Sequence, residues 1–504
     1  MPDDAEDVAT LVRWANASRV PLTPRGSGTS MAGGAIGPGV VVDLSRMNAI
    51  GTVDVTNRRI RVGPGALRGD VNTAAVVTGL RFPVDPSSGM FCTVGGMAAT
   101  NAAGSHSLLH GSTRRLVAAL DCVFADGSAA TVTRGATVPD GVPSVKRFMD
   151  EAHPRIVEAA IVIRAAHENV RKDSSGYALK DYAESGELID LLVGSEGTLA
   201  IVVGVELSLI DLPRSTSGVL GAFSSLDDAV VAAARAHECG AAACELLDRT
   251  FLEFAPALPS LPAETQAVLL SEVEADSDEL AAESAERLAA AFRESGATYI
   301  STALTLAEQT EIWELRHTAS PMLAGLDPSL KSMQFIEDGA VPPTRLADYI
   351  RGVRSALDAH EVRGVIFGHA GDGHVHVNPL IDISRPDWRS KIEGILEDVV
   401  MLTSRLGGTL SGEHGDGRLR APLLAETWPA KEVELFALVK RCFDPEGIFN
   451  PGVKLPVRGE KPIEDVKYDP QLPLLPTDAQ RALDFVADER AYATPRLSLL
   501  DRVG

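Results

Sequence analysis

The sequence predicts an α+β protein of more than one domain. Three observations carry that expectation. A chain of 504 residues is too long for a single hydrophobic core, so two or three domains are expected. Up to Ile210, short apolar strands alternate with glycine-dense loops. From Val219 onward the texture changes to strands alternating with long amphipathic helices, the pattern of an α+β layer. Composition is that of an ordinary soluble globular chain, at 45% hydrophobic and 23% charged. A formal net charge of −22 argues against a nucleic-acid partner, which needs a basic face. The five cysteines form no CxxC pair, which points to a reducing compartment rather than a disulfide framework. Met1 to Asp7 is acidic, unlike a signal peptide. The apolar window Leu191 to Leu212 is interrupted by Glu196 and Glu206, so it is not expected to span a membrane.

In chain order, Val8, Leu11, Val12 and Ala15 fall at helical spacing. A strand is expected at Val20 to Thr23. A glycine-dense loop follows from Pro24 to Gly39, PRGSGTSMAGGAIGPG. Without Cβ atoms such a loop can bring backbone N–H groups close to an anion. It lacks the Lys-Ser/Thr ending of a P-loop. It also departs from the dinucleotide fingerprint, because Met31 stands at the third glycine position and the next element is a strand, Val40 to Leu44. An anion cradle of another kind and a plain flexible loop both fit. Phe82 to Gly111 is proline-stiffened and rich in small residues, which suits a backbone lying along an extended ligand, or close helix–strand packing. Leu116 to Phe124 and Ala129 to Val132 read as a hairpin around Asp126-Gly127. Pro213 to Gly218 reads as a linker. Beyond it come a strand at Val219 to Phe223, helices at Leu226 to His237 and Asp276 to Ser295, a strand at Ala297 to Ser301, and a helix from Leu306 to Ala319.

Two short segments hold four of the 11 histidines: GHAGDGHVHVN, Gly368 to Asn378, and SGEHGDGR, Ser411 to Arg418. Imidazole and carboxylate are usual ligands of divalent transition metals, and three such ligands with an open position make a Lewis-acid site. Val365 to His369 and His374 to Leu380 read as strands joined by a tight turn, which puts His374 and His376 on one face. A Gly-rich hairpin of exposed histidines is the plainer alternative. A metallohydrolase is a second functional class for such a cluster. Arg316, Ser320 and Lys331 are candidates for holding a substrate carboxylate, Arg through its bidentate fork; a solvated face would explain Arg316 and Lys331 equally well.

Four pieces in order, RGSGTS, PVDPSS…TVGGMAATNAAG, KDSSGY and GSEGTLAIV, resemble the flavoprotein family of vanillyl-alcohol oxidase and p-cresol methylhydroxylase. The resemblance implies a two-subdomain FAD-binding (PCMH-type) domain over residues 1–213, a cap and substrate domain over 214–455, and a C-terminal extension or connector over 456–504. It implies FAD contacts at Arg25, Gly26, Ser27, Gly28, Thr29, Ser30, Pro83, Asp85, Thr93, Gly96, Asn101, Gly104, Glu196, Gly197, Ile201 and Asn450. His106 and His110 do not match a covalent flavin-attachment motif and are expected to be surface or loop residues. Family members usually begin with more chain, so Met1 reads as a truncated or misplaced start.

The further order WELR, IEDGAVP, GHAGDGHVH, EHGDG and FDPEGIFNPG is similar to the D-lactate, glycolate and D-2-hydroxyglutarate dehydrogenase branch, over nearly the whole chain to about Leu455. That resemblance implies oxidation of a D-2-hydroxy acid by hydride transfer to FAD. It implies a divalent metal, zinc or manganese, on His369, His376 and Glu413, with His414 as the catalytic base and Asn378 near the substrate. The branch usually has Asn at position 374, so His374 reads as a substrate contact or an extra ligand. The electron acceptor would be a quinone, an electron-transfer flavoprotein or an iron–sulfur protein. The location would be cytoplasmic, or peripheral at the inner membrane. Residues beyond Pro456 are similar to the connector of longer relatives fused to an iron–sulfur module, and a surface-packed extension fits equally.

Overall fold

The structure is a computed structural model describing residues 1–255, 261–317, 327, 329–464, 466, 468–489 and 491. The opening helix is Ala5–Ser18. Asp4 caps it by accepting from the amides of Glu6 and Asp7, which satisfies donors that the first turn leaves open. Strand Leu22–Arg25 then pairs in parallel with Val40–Asp43, and the glycine-dense loop crosses between their ends. A four-stranded antiparallel sheet follows in the order Arg59–Val62, Ile201–Ser208, Val117–Val123, Ala129–Thr133. The expected hairpin around Asp126-Gly127 is its edge. The apolar faces of Pro143–Arg147 and His153–Ala165 pack beneath it, with Phe82, Phe124 and Phe148 fully buried.

The second half is built on a seven-stranded sheet. Its order is Ala297–Ala303, Ser215–Phe223, Ala267–Ala275, Ala243–Asp248, Arg363–His369, His376–Asp382, Leu330–Ser332, and every pairing is antiparallel. The strand alternation sorts its residues. Val219, Leu246, Leu269, Ile366 and Val377 face a core made with helices Leu226–Glu238, Asp278–Glu294, Leu346–Ala359 and Trp388–Arg405. Leu220, Leu247, Leu270, Val365 and Phe367 face the other side. The helices carry the end signals their sequences advertise. Ser277, for example, accepts from the amide of Leu280, with Asp278 and Glu279 in the first turn.

The run expected to be a linker, 213–218, is different. The strand begins at Ser215, because its nine-residue register with Ala267–Ala275 extends through Ser215, Thr216 and Ser217. Backbone pairing does not require apolar side chains, so a polar start disguises a strand as a connection. Helix Ala430–Phe443 also crosses the expected division. It places Phe436, Val439 and Phe443 in the core of the first half, and the following segment bonds to strand Leu22–Arg25 through Leu22 N–H to Ile448 O at 2.7 Å and Asn450 N–H to Leu22 O at 2.8 Å. The tail forms an amphipathic helix, Thr477–Asp488. Among the described residues no helix is long and apolar enough to cross a membrane.

His106 stands in a turn, as a loop residue should, and His110 ends a short helix, but both are largely buried rather than on the surface. His106 joins the two halves: Nδ1 lies 2.6 Å from Asp85 and Nε2 lies 2.9 Å from Glu272. Trp313 Nε1 donates to the same Glu272 at 2.8 Å. Beside them Glu274 accepts from Arg81 and meets His110. Burial disfavours the charged ring, but Asp85 and Glu272 outweigh it and hold the His106 pKa well above its ordinary 6.5. A raised folded-state pKa contributes stability that is complete below about 6.5 and fades as pH rises through the folded value. His106→Gln is therefore expected to lose about 2–3 kcal/mol of unfolding free energy at pH ~6. That deficit should narrow steadily as pH is raised in denaturant titrations of the two proteins.

Candidate active site

Strand register assembles the first part of the site. Glu245 lies opposite His369, and Phe367 opposite His376. Residues two apart share a face, so Glu245, His369, His376 and Asn378 all project from one side of the large sheet. His374 does not reach them as a strand neighbour, contrary to expectation. The strand starts only at His376, and His374 sits in an isolated bridge to Ala340 after the turn Ala370–Asp372. Gly373, with φ +72°, makes that reversal; a Cβ there would fall 2.3 Å from Val341 O. The three rings converge all the same, with His374 and His376 centroids 4.8 Å apart and those of His369 and His374 5.4 Å apart.

Glu413 completes the group. Its Oε1 lies 3.3 Å from His369 Nε2 and 3.4 Å from His376 Nε2. The other nitrogen of each ring is already committed. His369 Nδ1 meets Glu245, which also accepts from Arg316 Nε at 2.7 Å. His376 Nδ1 meets the Glu337 carbonyl at 3.2 Å. His414 turns Nδ1 to Glu337 Oε1 at 3.1 Å, while Nε2 lies 3.6 Å from Glu413. Lys172, wholly buried, donates to Glu413 Oε2 at 3.0 Å and to Gly104 O at 3.1 Å. Asp338 accepts from His374 Nε2, Ser411 Oγ and the amide of His414.

Five buried carboxylates, Glu245, Glu337, Asp338, Asp372 and Glu413, thus face three permanent cations, Lys172, Arg316 and Arg420. The imbalance falls on the imidazoles. Burial opposes charge on His369, but Glu245 and Glu413 outweigh it and raise its pKa to about 9. Asp338 and Glu337 do the same for His414, also to about 9. Burial dominates at His374, which is pushed down to about 3, and lowers His376. Burial works against the charge of Glu413 as well, yet Lys172 and His369 hold it well below the usual carboxylate range. The donor set of imidazoles and carboxylate, with excess negative charge around it, fits a divalent cation.

A cleft of about 1330 Å³, counted out to its open mouth, runs from the glycine-dense loop to this cluster. Its walls, the glycine-dense loop on one side and the small-residue block on the other, suit an extended ligand. Of the expected FAD contacts, Arg25 to Ser30, Thr93, Gly96, Glu196 and Gly197 line it. Two polar atoms there, Arg25 Nε and Ser30 Oγ, are buried without a partner, as a cradle for a polar ligand requires. Pro83, Asp85, Asn101, Gly104, Ile201 and Asn450 do not line it. Asp85 is held by His106. Asn101 accepts from the amide of Arg114. Ile201 belongs to an apolar core, and Asn450 Nδ2 donates to Gly34 O and Glu196 O. At its inner end the cleft is lined by Glu413 and His414.

Residues 1–133 match the FAD binding domain family, and residues 212–453 match the C-terminal domain of FAD linked oxidases. The chain is 30% identical to a D-lactate dehydrogenase of Archaeoglobus fulgidus over 90% of this chain and 89% of that protein. The chain belongs to the FAD-linked oxidase family. It is 29% identical to the glycolate oxidase subunit GlcD of Bacillus subtilis, over 90% of this chain and 87% of that protein. A D-2-hydroxyglutarate dehydrogenase of Pseudomonas putida is 32% identical over 89% of this chain, which spans only 47% of that longer protein. The fold is shared with 4-ethylphenol oxidase from Gulosibacter chungangensis, at TM-score 0.67, 16% identity and coverage of 91% and 89%.

The expected carboxylate anchors divide. Arg316 lies beside the cluster, bonded to Glu245 and 4.7 Å above the Phe367 ring. Asn378 shares the His376 face and meets Ser332 Oγ at 3.3 Å. Lys331 pairs with Ile381, which puts it on the opposite face, and its ammonium lies over Tyr468 at 5.6 Å. Ser320 is outside the described residues. Sequence reasoning assigned no role to Lys172, Glu245, Glu337, Asp338 or Arg420. The first lies in KDSSGY and the two acids in IEDGAVP, both quoted motifs; Glu245 had only the signal of one charge inside an apolar strand.

The flavin cradle makes a direct prediction. A Cβ on Gly26 would fall 2.1 Å from Thr93 Oγ1, the cap of helix Val94–Thr100. Gly26→Ala is expected to weaken FAD binding about tenfold or more, read from the quenching of flavin fluorescence on titrating the apoprotein.

Proposed function

We propose that this FAD-linked oxidase is a dehydrogenase of 2-hydroxy acids of the D-lactate or glycolate type, converting the hydroxyl-bearing carbon to a 2-oxo group. The observation that carries this is the pair Glu413 and His414, adjacent in sequence and shared by the cleft wall and the histidine cluster. The names of the three sequence relatives given above, each of which denotes 2-hydroxy acid chemistry, support it. FAD in the cleft would supply a hydride acceptor, and a divalent cation, which His369, His376 and Glu413 would hold, would supply a Lewis acid for the hydroxyl.

The protein's own groups do the rest. Arg316, fixed by Glu245, presents its guanidinium to the substrate carboxylate. Asn378 offers its amide on the same face. His414 Nδ1–H donates to Glu337, leaving Nε2 beside Glu413 to accept the hydroxyl proton. In the metal-free chain His414 keeps a proton to about pH 9, so this base role calls for a cation to offset the surrounding carboxylates. D-2-hydroxyglutarate is the alternative substrate in the same class. Electrons would leave to a quinone, an electron-transfer flavoprotein or an iron–sulfur protein.

Anaerobic mixing with a panel of D- and L-hydroxy acids, scored by bleaching of the flavin band, tests the reading; a flavin that no hydroxy acid bleaches would sink it. His414→Ala is expected to retain FAD and lose roughly 10²–10⁴ in the rate of flavin reduction. Arg316→Ala is expected to reduce kcat/KM by about tenfold or more, and wild-type kinetics in that variant would remove Arg316 from the site.

A further inference from the structure

His374 is fully buried, and its two ring nitrogens are unequally served. Nε2 lies 3.0 Å from Asp338 Oδ1, whereas Nδ1 is buried with no hydrogen-bond partner. A buried nitrogen left without a partner is costly, and native proteins keep one where an ion or ligand completes it. The position does not line the cleft, and the backbone of Gly412 covers it so closely that a Cβ there would fall 2.8 Å from the His374 ring. Of the two roles the sequence left open, a substrate contact or an extra ligand, this enclosure favours the second.

The neighbouring rings repeat the same arrangement. His369 has one nitrogen on the Glu245 carboxylate, and His376 has one on the Glu337 carbonyl. His374 has one on the Asp338 carboxylate. Ligating histidines characteristically give their second nitrogen to such an acceptor, which fixes tautomer and orientation. One donor atom from each of His369, His374, His376 and Glu413 lies within 4.8 Å of the others. We propose that His374 is a fourth protein ligand of the divalent cation, through the ring nitrogen that Asp338 does not hold. This rests on the metal reading of the site made above. A set of three imidazoles and one carboxylate fills a tetrahedral zinc shell. It leaves room for a chelating hydroxy acid on a cation that accepts six donors, such as manganese(II).

The flavin-loaded protein, stripped with a chelator and shown metal-free by elemental analysis, is titrated with Mn²⁺. His374→Asn keeps a donor for Asp338 but removes the imidazole. It is expected to bind Mn²⁺ about tenfold or more weakly with an unchanged flavin spectrum. X-ray absorption at the manganese edge of the loaded wild type is expected to count three imidazoles, and it decides the question if the variant does not fold. Two imidazoles, or an unchanged affinity in a folded His374→Asn, overturn the fourth ligand and leave His369, His376 and Glu413 standing. A wild type that binds neither Mn²⁺ nor Zn²⁺ overturns the metal reading itself.

Discussion

The buried carboxylate of Asp338 holds the loops of the active site in one place. It accepts from the His374 ring, from Ser411 Oγ and from the amide of His414, and its backbone carbonyl takes the amide of Gly412. Two separate stretches of chain, the turn at His374 and residues 411–414, are thereby tied to one charged point in a region with little water to compete. Such a charge persists only if it is surrounded by donors and cations. Arg420 supplies the nearest permanent one, shared with Glu337. The positions of His414 and Glu413, and so of everything assigned to them, follow from this anchor.

The same economy of charge joins the cluster to the cleft. Lys172 is the cation of Glu413 and also bonds Gly104 of the flavin-side segment. Glu196, on the cleft wall, accepts from the amides of Asp416 and Gly417 and is met by the buried ammonium of Lys454. Gly415 permits that approach, since a Cβ on it would fall 2.5 Å from Glu196 Oε1. Each half of the molecule is therefore incomplete at the site without the other. Substitutions at Lys172 or Lys454 leave buried carboxylates uncompensated, which is among the costlier changes a protein can suffer.

What could be read from the amino-acid sequence was whatever is written in local pattern. Helical spacing marked the first helix at Val8 to Ala15, and the helices Leu226–Glu238 and Asp278–Glu294 were legible to within a few residues. The glycine-dense loop, the small-residue block and the two histidine segments marked both parts of the site, because turns, close backbone approach and metal-type donors each demand particular residues. The strand at Val219 to Phe223 was legible, but its start at Ser215 was taken for a linker because those first residues are polar and their pairing is purely backbone. Tertiary structure alone decided the rest. Glu245 meets His369 across 124 positions, His106 meets Glu272 across 166, and Lys331 turns away because antiparallel register, not composition, assigns each strand residue its face. Partners of buried charge are chosen by which surfaces come together, and one charged residue in an apolar strand carries no record of the group it will face.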